Sequence, residues 1–220
     1  MNKAIVSFAH GSTFANMLSI ALPRFYKYAY RHSYDLHMPT YNTVRRWCYN
    51  YSWNYNRPIS WLKVPIIKHY LTNGYDVVQW IDCDVIINKF DKDINEDFLT
   101  STCNQSLVTH YDKYEGVVPN CGIWSLKKSA IDLLDNIWNQ SDYINHKWWE
   151  QGANIHLMNS YPELKSLCHI LPYEFNVHKN DMRFNERDWE VDGVMLHATT
   201  WHNRIEKMKE WDRRSNNELE

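Results

Sequence analysis

Glycine is scarce in this chain, with six in 220 residues. No Gly-rich phosphate loop and no repeat array can be built from so few. No apolar run approaches the roughly 18 residues of a membrane span. The apolar opening, Ala4–Ala9, is too short for a signal peptide. The cysteines Cys48, Cys83, Cys103, Cys121 and Cys168 are odd in number and include no C-x-x-C pair. That argues against zinc clusters and a disulfide scaffold and predicts reduced thiols in a cytoplasm. Charge of one sign is also missing: 24 Lys+Arg against 26 Asp+Glu leave −2. Nucleic acid is therefore disfavoured as the main partner.

Hydrophobic residues make up 44% of the chain and charged residues 23%, the balance of one globular domain with a full core. Tryptophan (11) and tyrosine (15) are abundant. Their flat rings stack on sugars but also fill cores, and most are expected to be core or half-buried.

Ala4–Ala9 reads as a buried parallel strand, followed by a helix over Phe14–Arg31 that Pro23 kinks or interrupts. Tyr34–His37 is a weak strand, and Tyr41–Arg57 a loop with helical pieces. A helix over Trp61–Thr72 stops at Asn73-Gly74, and a strand follows over Tyr75–Ile81, with Val85–Ile87 continuing extended. Further strands are predicted at Ser106–His110, Gly122–Leu126, Cys168–Leu171 and Val194–His197, with helices at Ser129–Asn139 and Gln151–Met158. Lys207–Glu220 reads as a charged, fraying tail. Alternating strands and helices predict an α/β fold with a mostly parallel sheet, in a single domain over 1–220.

The sharpest feature is Asp82-Cys83-Asp84, at the end of the hydrophobic stretch Val77–Ile81 and before Val85-Ile86-Ile87. In an extended chain residues i and i+2 share a face, so Asp82 and Asp84 would lie together with Cys83 opposite. Two desolvated like charges require a cation, and hard oxygen ligands suit Mn²⁺ or Mg²⁺. The bland alternative is a solvated turn. His197 also ends an apolar strand, and its strand is expected to reach the same edge of the parallel sheet. Two aspartates and a neutral imidazole form a plausible metal set. His197 is preferred over His202, which lies past the strand end.

Trp61-Leu62-Lys63-Val64-Pro65, followed by Trp80-Ile81-Asp82-Cys83-Asp84, resembles the W-x-K-[VIL]-P helix and W-x-[LI]-D-x-D strand of glycosyltransferase family 34, the galactosyl/mannosyl/xylosyl transferases. Asn120-Cys121-Gly122-Ile123-Trp124, Trp149-Glu150-Gln151 with Ala153, and Leu196-His197-Ala198 resemble further segments of that family, in order. The likeness covers Trp61–His197. It carries no membrane anchor, so a soluble viral or bacterial enzyme in a cytoplasm is expected instead of a Golgi one.

The resemblance implies a GT-A fold, with 1–110 mainly binding the nucleotide-sugar, 111–205 mainly binding acceptor and supplying the metal histidine, and 206–220 a tail. It implies that Phe8, Ala9 and His10 line the nucleoside and that Lys63 reaches the donor. Asp82 would hold ribose or a metal water, and Asp84 and His197 would ligate the metal. Asn120 and the pair Glu150 and Gln151 are candidates for the sugar side. Glu150 is either a base or ion stabiliser or an exposed helix-cap acid. Trp148, Trp149 and Trp189 are acceptor platforms or core. The function implied is metal-dependent sugar transfer from a nucleoside diphosphate-sugar to a glycan or other hydroxyl acceptor. The competing readings are transfer to modified DNA bases, a metal-dependent phosphohydrolase, and a non-catalytic nucleotide-sugar-binding protein.

Overall fold

The computed structural model describes residues 1–217 apart from Ser52, Asn54 and Tyr55. In chain order the elements are β1 (Lys3–Val6), α1 (Ser12–Arg31), β2 (Asp35–His37), α2 (Tyr41–Asn50), α3 (Lys63–Thr72), β3 (Val77–Ile81), β4 (Val85–Ile87) and α4 (Glu96–Thr100). There follow β5 (Gln105–Asp112), β6 (Gly116–Lys127), α5 (Ile131–Trp138), α6 (Trp149–Ser160), α7 (Pro162–Ser166), β7 (Cys168–Leu171), α8 (Trp189–Asp192), β8 (Met195–His197) and α9 (Arg204–Asn217).

Six strands form one sheet in the order β2-β1-β3-β6-β5-β7. Only β6 runs against the others, so the sheet is mostly parallel, as the sequence predicts. Its central strands β1 and β3 are largely apolar and buried on both faces because both faces are covered. Ile5 and Ile81 pack into one core; Ala4, Val6, Val78 and Trp80 pack into the other. The buried amide of Gln79, inside β3, is satisfied at both ends: Oε1 accepts from Asn95 and Ser125, and Nε2 donates to the Trp80 carbonyl at 2.7 Å.

Four expectations are corrected. Pro23 does not interrupt α1, which is helical throughout Ser12–Arg31; Pro23 lies on the exposed face, so the missing N–H leaves its partner to water. Tyr41–Asn50 is a regular helix, its first turn capped by the Thr40 hydroxyl, which accepts from the Thr43 N–H; Ser52, Asn54 and Tyr55 of the predicted loop lie outside the described residues.

The charged C-terminal segment is helix α9, docked on α1. Met208 and Trp211 are buried there, and Arg24 of α1 donates to the Asp212 carboxylate and carbonyl and to the Ile87 carbonyl. Glu218–Glu220 of the predicted tail lie outside the described residues. The last strand, β8, does not join the parallel sheet. It pairs antiparallel with β4 in a two-stranded ladder, with Val85 opposite His197.

Candidate active site

Strand β3 leads directly into the Asp82-Cys83-Asp84 segment. The Asp82 N–H donates to the Gly122 carbonyl (2.8 Å) and the Val85 N–H to the Asp82 carbonyl (3.2 Å). The chain therefore turns between β3 and β4, and the extended geometry expected for these three residues is not present. Cys83 is buried within the turn and borders a cavity. The two carboxylates converge all the same, because the β4–β8 ladder brings His197 across to them. The ligand atoms of Asp82, Asp84 and His197 lie within 4.8 Å of one another. His197 Nε2 is 3.2 Å from Asp84 Oδ1 and 3.8 Å from Asp82 Oδ2.

The other side of the imidazole is anchored. His197 Nδ1 lies 3.0 Å from Asn176 Oδ1, and Asn176 Nδ2 donates to Asn120 Oδ1 at 2.8 Å. A proton on Nδ1 leaves the Nε2 lone pair facing the carboxylates, the arrangement a metal-binding histidine needs. Gly122 is required beneath it, since a Cβ there would stand 2.3 Å from His197 Cε1. Nε2 is buried and has no hydrogen-bond partner. This orphaned atom, together with two carboxylate ligands, fits a divalent ion such as Mn²⁺ or Mg²⁺. Burial pushes the Asp84 carboxyl up, but the charged form of His197 and then Arg204, whose Nη1 is 3.2 Å from Asp84 Oδ2, outweigh it and hold it below its usual value; a bound divalent ion would take the place of that imidazolium charge. His202 is exposed and is not part of the cluster.

Lys63, at the start of α3, is 6% exposed and joins the metal cluster to α6. Its Nζ lies 3.2 Å from Asp82 Oδ1 and 3.0 Å from Glu150 Oε1, and it donates to the Cys121 carbonyl at 3.0 Å. Burial works against its charge, yet Asp82 and Glu150 reverse that effect and hold the ammonium above its ordinary pKa. Glu150 is 3% exposed, which rules out an exposed helix-cap acid. Burial raises its carboxyl against the pull of Lys63, and its Oε2 has no partner. Gln151 Oε1 accepts from the Cys121 N–H at 3.0 Å, which ties α6 to β6.

Two cavities meet at this cluster and share Ser60, Lys63, Asp82, Trp149 and Thr199. The more apolar one, about 420 Å³, is bordered by Phe8, His10, Phe14, Ile59, Trp80 and Arg204. His10 stacks on Tyr41 at 4.2 Å. Ala9 is not in the lining. The polar one, about 310 Å³, is bordered by Asn120, Glu150, Gln151, Trp148, His110, His178 and Asn180. Trp149 is 42% exposed at the mouth of both. Trp189 is corrected to a core residue: it packs edge-on against Tyr173 at 4.9 Å, donates from Nε1 to the Arg183 carbonyl at 2.8 Å, and borders neither cavity.

Sequence reasoning missed Asn176, Arg204, His110 and His178. Asn176 is marked only as a polar residue between Phe175 and Val177, while His178 and Arg204 stand in polar stretches and His110 ends a short strand, so nothing local sets them apart. Burial, then the neighbouring His110 and His197, lower the His178 pKa to about 3, so its ring is neutral.

The sequence matches no protein-family model and no curated protein. The fold does match solved structures: it is the GT-A fold of nucleotide-sugar glycosyltransferases. A glycosyltransferase involved in glycosylating the major capsid protein of PBCV-1 is similar over 97% of this chain and 100% of its own, with TM-score 0.70 and 14% identity. The galactosyltransferase LgtC, solved with donor and acceptor sugar analogues, is similar over 96% and 95%, with TM-score 0.55 and 11% identity. A mutant Drosophila β-galactosyltransferase in complex with manganese, UDP-Gal and xylobiose is similar over 94% and 74%, with TM-score 0.51 and 11% identity. The likeness to glycosyltransferase family 34 thus stands at the level of the GT-A fold.

Proposed function

We propose that this chain is a divalent-metal-dependent glycosyltransferase that moves a hexosyl or pentosyl group from a nucleoside diphosphate-sugar to a hydroxyl of a carbohydrate acceptor. The observation that carries the reading is the Asp82–Asp84–His197 cluster at the junction of one aromatic and one polar cavity. A nucleoside needs apolar faces to stack on; a sugar needs directed hydrogen bonds; the diphosphate between them needs positive charge. The apolar cavity and the polar cavity supply the first two, and a divalent ion held in the cluster would supply the third.

In this reading Phe8, His10 and Phe14 receive the nucleoside. Asp82, Asp84 and His197 would hold Mn²⁺ or Mg²⁺, which would supply Lewis-acid stabilisation to the leaving diphosphate; the Drosophila neighbour's manganese supports Mn²⁺. Arg204 adds a fixed positive charge at the same end of the apolar cavity. As the bond from sugar to phosphate breaks, its electron pair goes to the diphosphate and positive charge builds on the sugar ring. Glu150, with Oε2 unpartnered, offsets that charge from the sugar side, or takes the proton of the acceptor hydroxyl. Gln151 and Asn120 steady the sugar. Lys63, which borders both cavities, holds the Asp82 and Glu150 carboxylates in place. Trp148 and Trp149 form the acceptor platform at the mouth. Five free cysteines favour a reducing compartment, the cytoplasm. No helix among the described residues is long and apolar enough to cross a membrane.

A thermal-shift screen of nucleotide-sugars with and without Mn²⁺ tests the reading. A donor at 100 times its Kd adds about 2.7 kcal/mol, which raises Tm by about 5–10 °C in a chain of this size. The shift should require the metal. A screen in which no nucleotide-sugar stabilises the protein in Mn²⁺ would overturn it.

A further inference from the structure

Two buried imidazoles in the polar cavity have no task in the scheme above. His178 is 3% exposed and His110 is 9% exposed. Neither ring nitrogen of His178 has a hydrogen-bond partner, and His110 Nδ1 has none. The two rings stand 4.7 Å apart at 74°, and the His178 ring stands 6.4 Å from that of His197 at 87°. Desolvating polar atoms without partners is costly, and folded proteins leave such atoms where a ligand or water completes them. Both residues border the same cavity as Asn120 and Gln151.

We propose that His178 and His110 form the hydroxyl-reading wall of this cavity and hydrogen-bond an uncharged sugar carried by the donor nucleotide. The inference rests on the glycosyltransferase reading and names the group that its sugar side selects. A neutral imidazole offers one donor and one acceptor, as does a sugar hydroxyl, so each can satisfy the other. The sugar of a nucleotide-sugar is joined directly to the diphosphate. The His178 ring centroid stands 6.4 Å from that of His197, a span of the size of a pyranose with its hydroxyls. A sugar carboxylate is disfavoured there. Asp82, Asp112 and Glu150 border the cavity, and its two lysines are already ion-paired, Lys63 with Asp82 and Glu150, Lys147 with Glu115.

The test is calorimetric titration in Mn²⁺ with UDP, GDP, UDP-galactose, UDP-xylose, GDP-mannose and UDP-glucuronic acid. The readout is the affinity of each nucleotide-sugar relative to its bare nucleotide. Wild type should favour at least one uncharged sugar and not the glucuronate. His178→Phe keeps the ring shape without the nitrogens. It should lower that ratio about five- to tenfold, the loss of one hydrogen bond to an otherwise satisfied hydroxyl, leave bare-nucleotide affinity unchanged and not lower Tm. His178→Gln should restore most of the ratio, and His110→Phe should lower it in the same direction. If nucleotides bind but His178→Phe leaves the ratio unchanged, or the glucuronate binds best, this inference falls and the glycosyltransferase reading stands. If no nucleotide binds wild type, both fall.

Discussion

His197 lies opposite Val85 in an antiparallel ladder, and that pairing sets its Nε2 3.2 Å from Asp84. The acidic cluster is therefore built where the turn after β3 of the main sheet meets the two-stranded β4–β8 ladder. The Ala198 N–H donating to the Asp84 carbonyl at 2.9 Å locks them together.

The first prediction follows from that cluster. Asp84→Ala should abolish Mn²⁺ binding and the Mn²⁺-dependent stabilisation by nucleotide, while the metal-free protein stays folded with lowered stability, since Arg204 loses its carboxylate partner. His197→Ala should weaken Mn²⁺ binding at least tenfold, and His202→Ala should leave it unchanged. Calorimetric Mn²⁺ titrations on the three variants check this; full loss in His202→Ala alone would identify the wrong histidine.

Lys63 predicts a different phenotype. Its removal leaves two carboxylates around an empty buried site, so Lys63→Ala should destabilise the protein by about 3–5 kcal/mol. Adding Glu150→Gln should recover part of that loss, because the second buried charge disappears with its partner. Urea denaturation of the single and double variants measures both. Wild-type stability in Lys63→Ala would mean that water replaces the ammonium.

Trp189 distinguishes core from platform. Trp189→Phe should remove the bond to the Arg183 carbonyl and lower stability by about 1 kcal/mol, with no effect on acceptor KM. A raised KM at unchanged stability would return Trp189 to the binding surface.

Asp181 sets an acid limit. It accepts from the N–H groups of Tyr111 and Arg183 and pairs with the Arg183 guanidinium at 2.7 Å. Burial raises its carboxyl, but these donors outweigh burial and hold it below the usual carboxylate range. The folded-state pKa lies below the unfolded one, so the stability it contributes is present above about pH 4 and lost as pH falls through the folded value. Asp181→Asn should lower stability at pH 7 and flatten the decline in acid. Denaturation midpoints at pH 7 and pH 3 give the comparison; equal declines in both proteins would assign the acid limit to other groups.

Local chemistry was legible in the sequence. The apolar runs Ala4–Val6 and Val77–Ile81 dictated buried strands, and an acidic pair after such a run marked a candidate metal site, because burying like charges is unfavourable without a cation. His197 was legible for the same reason, as a polar residue closing an apolar strand. Only the tertiary structure decided how these meet. The turn at Asp82–Asp84 and the β4–β8 ladder depend on pairing between segments more than a hundred residues apart, which no local pattern encodes. Burial of Glu150 against Lys63, the docking of a charged helix α9 through Met208 and Trp211, and the placement of His110 beside His178 have the same origin. Local composition sets what each residue prefers; long-range packing sets which neighbours are there to satisfy it.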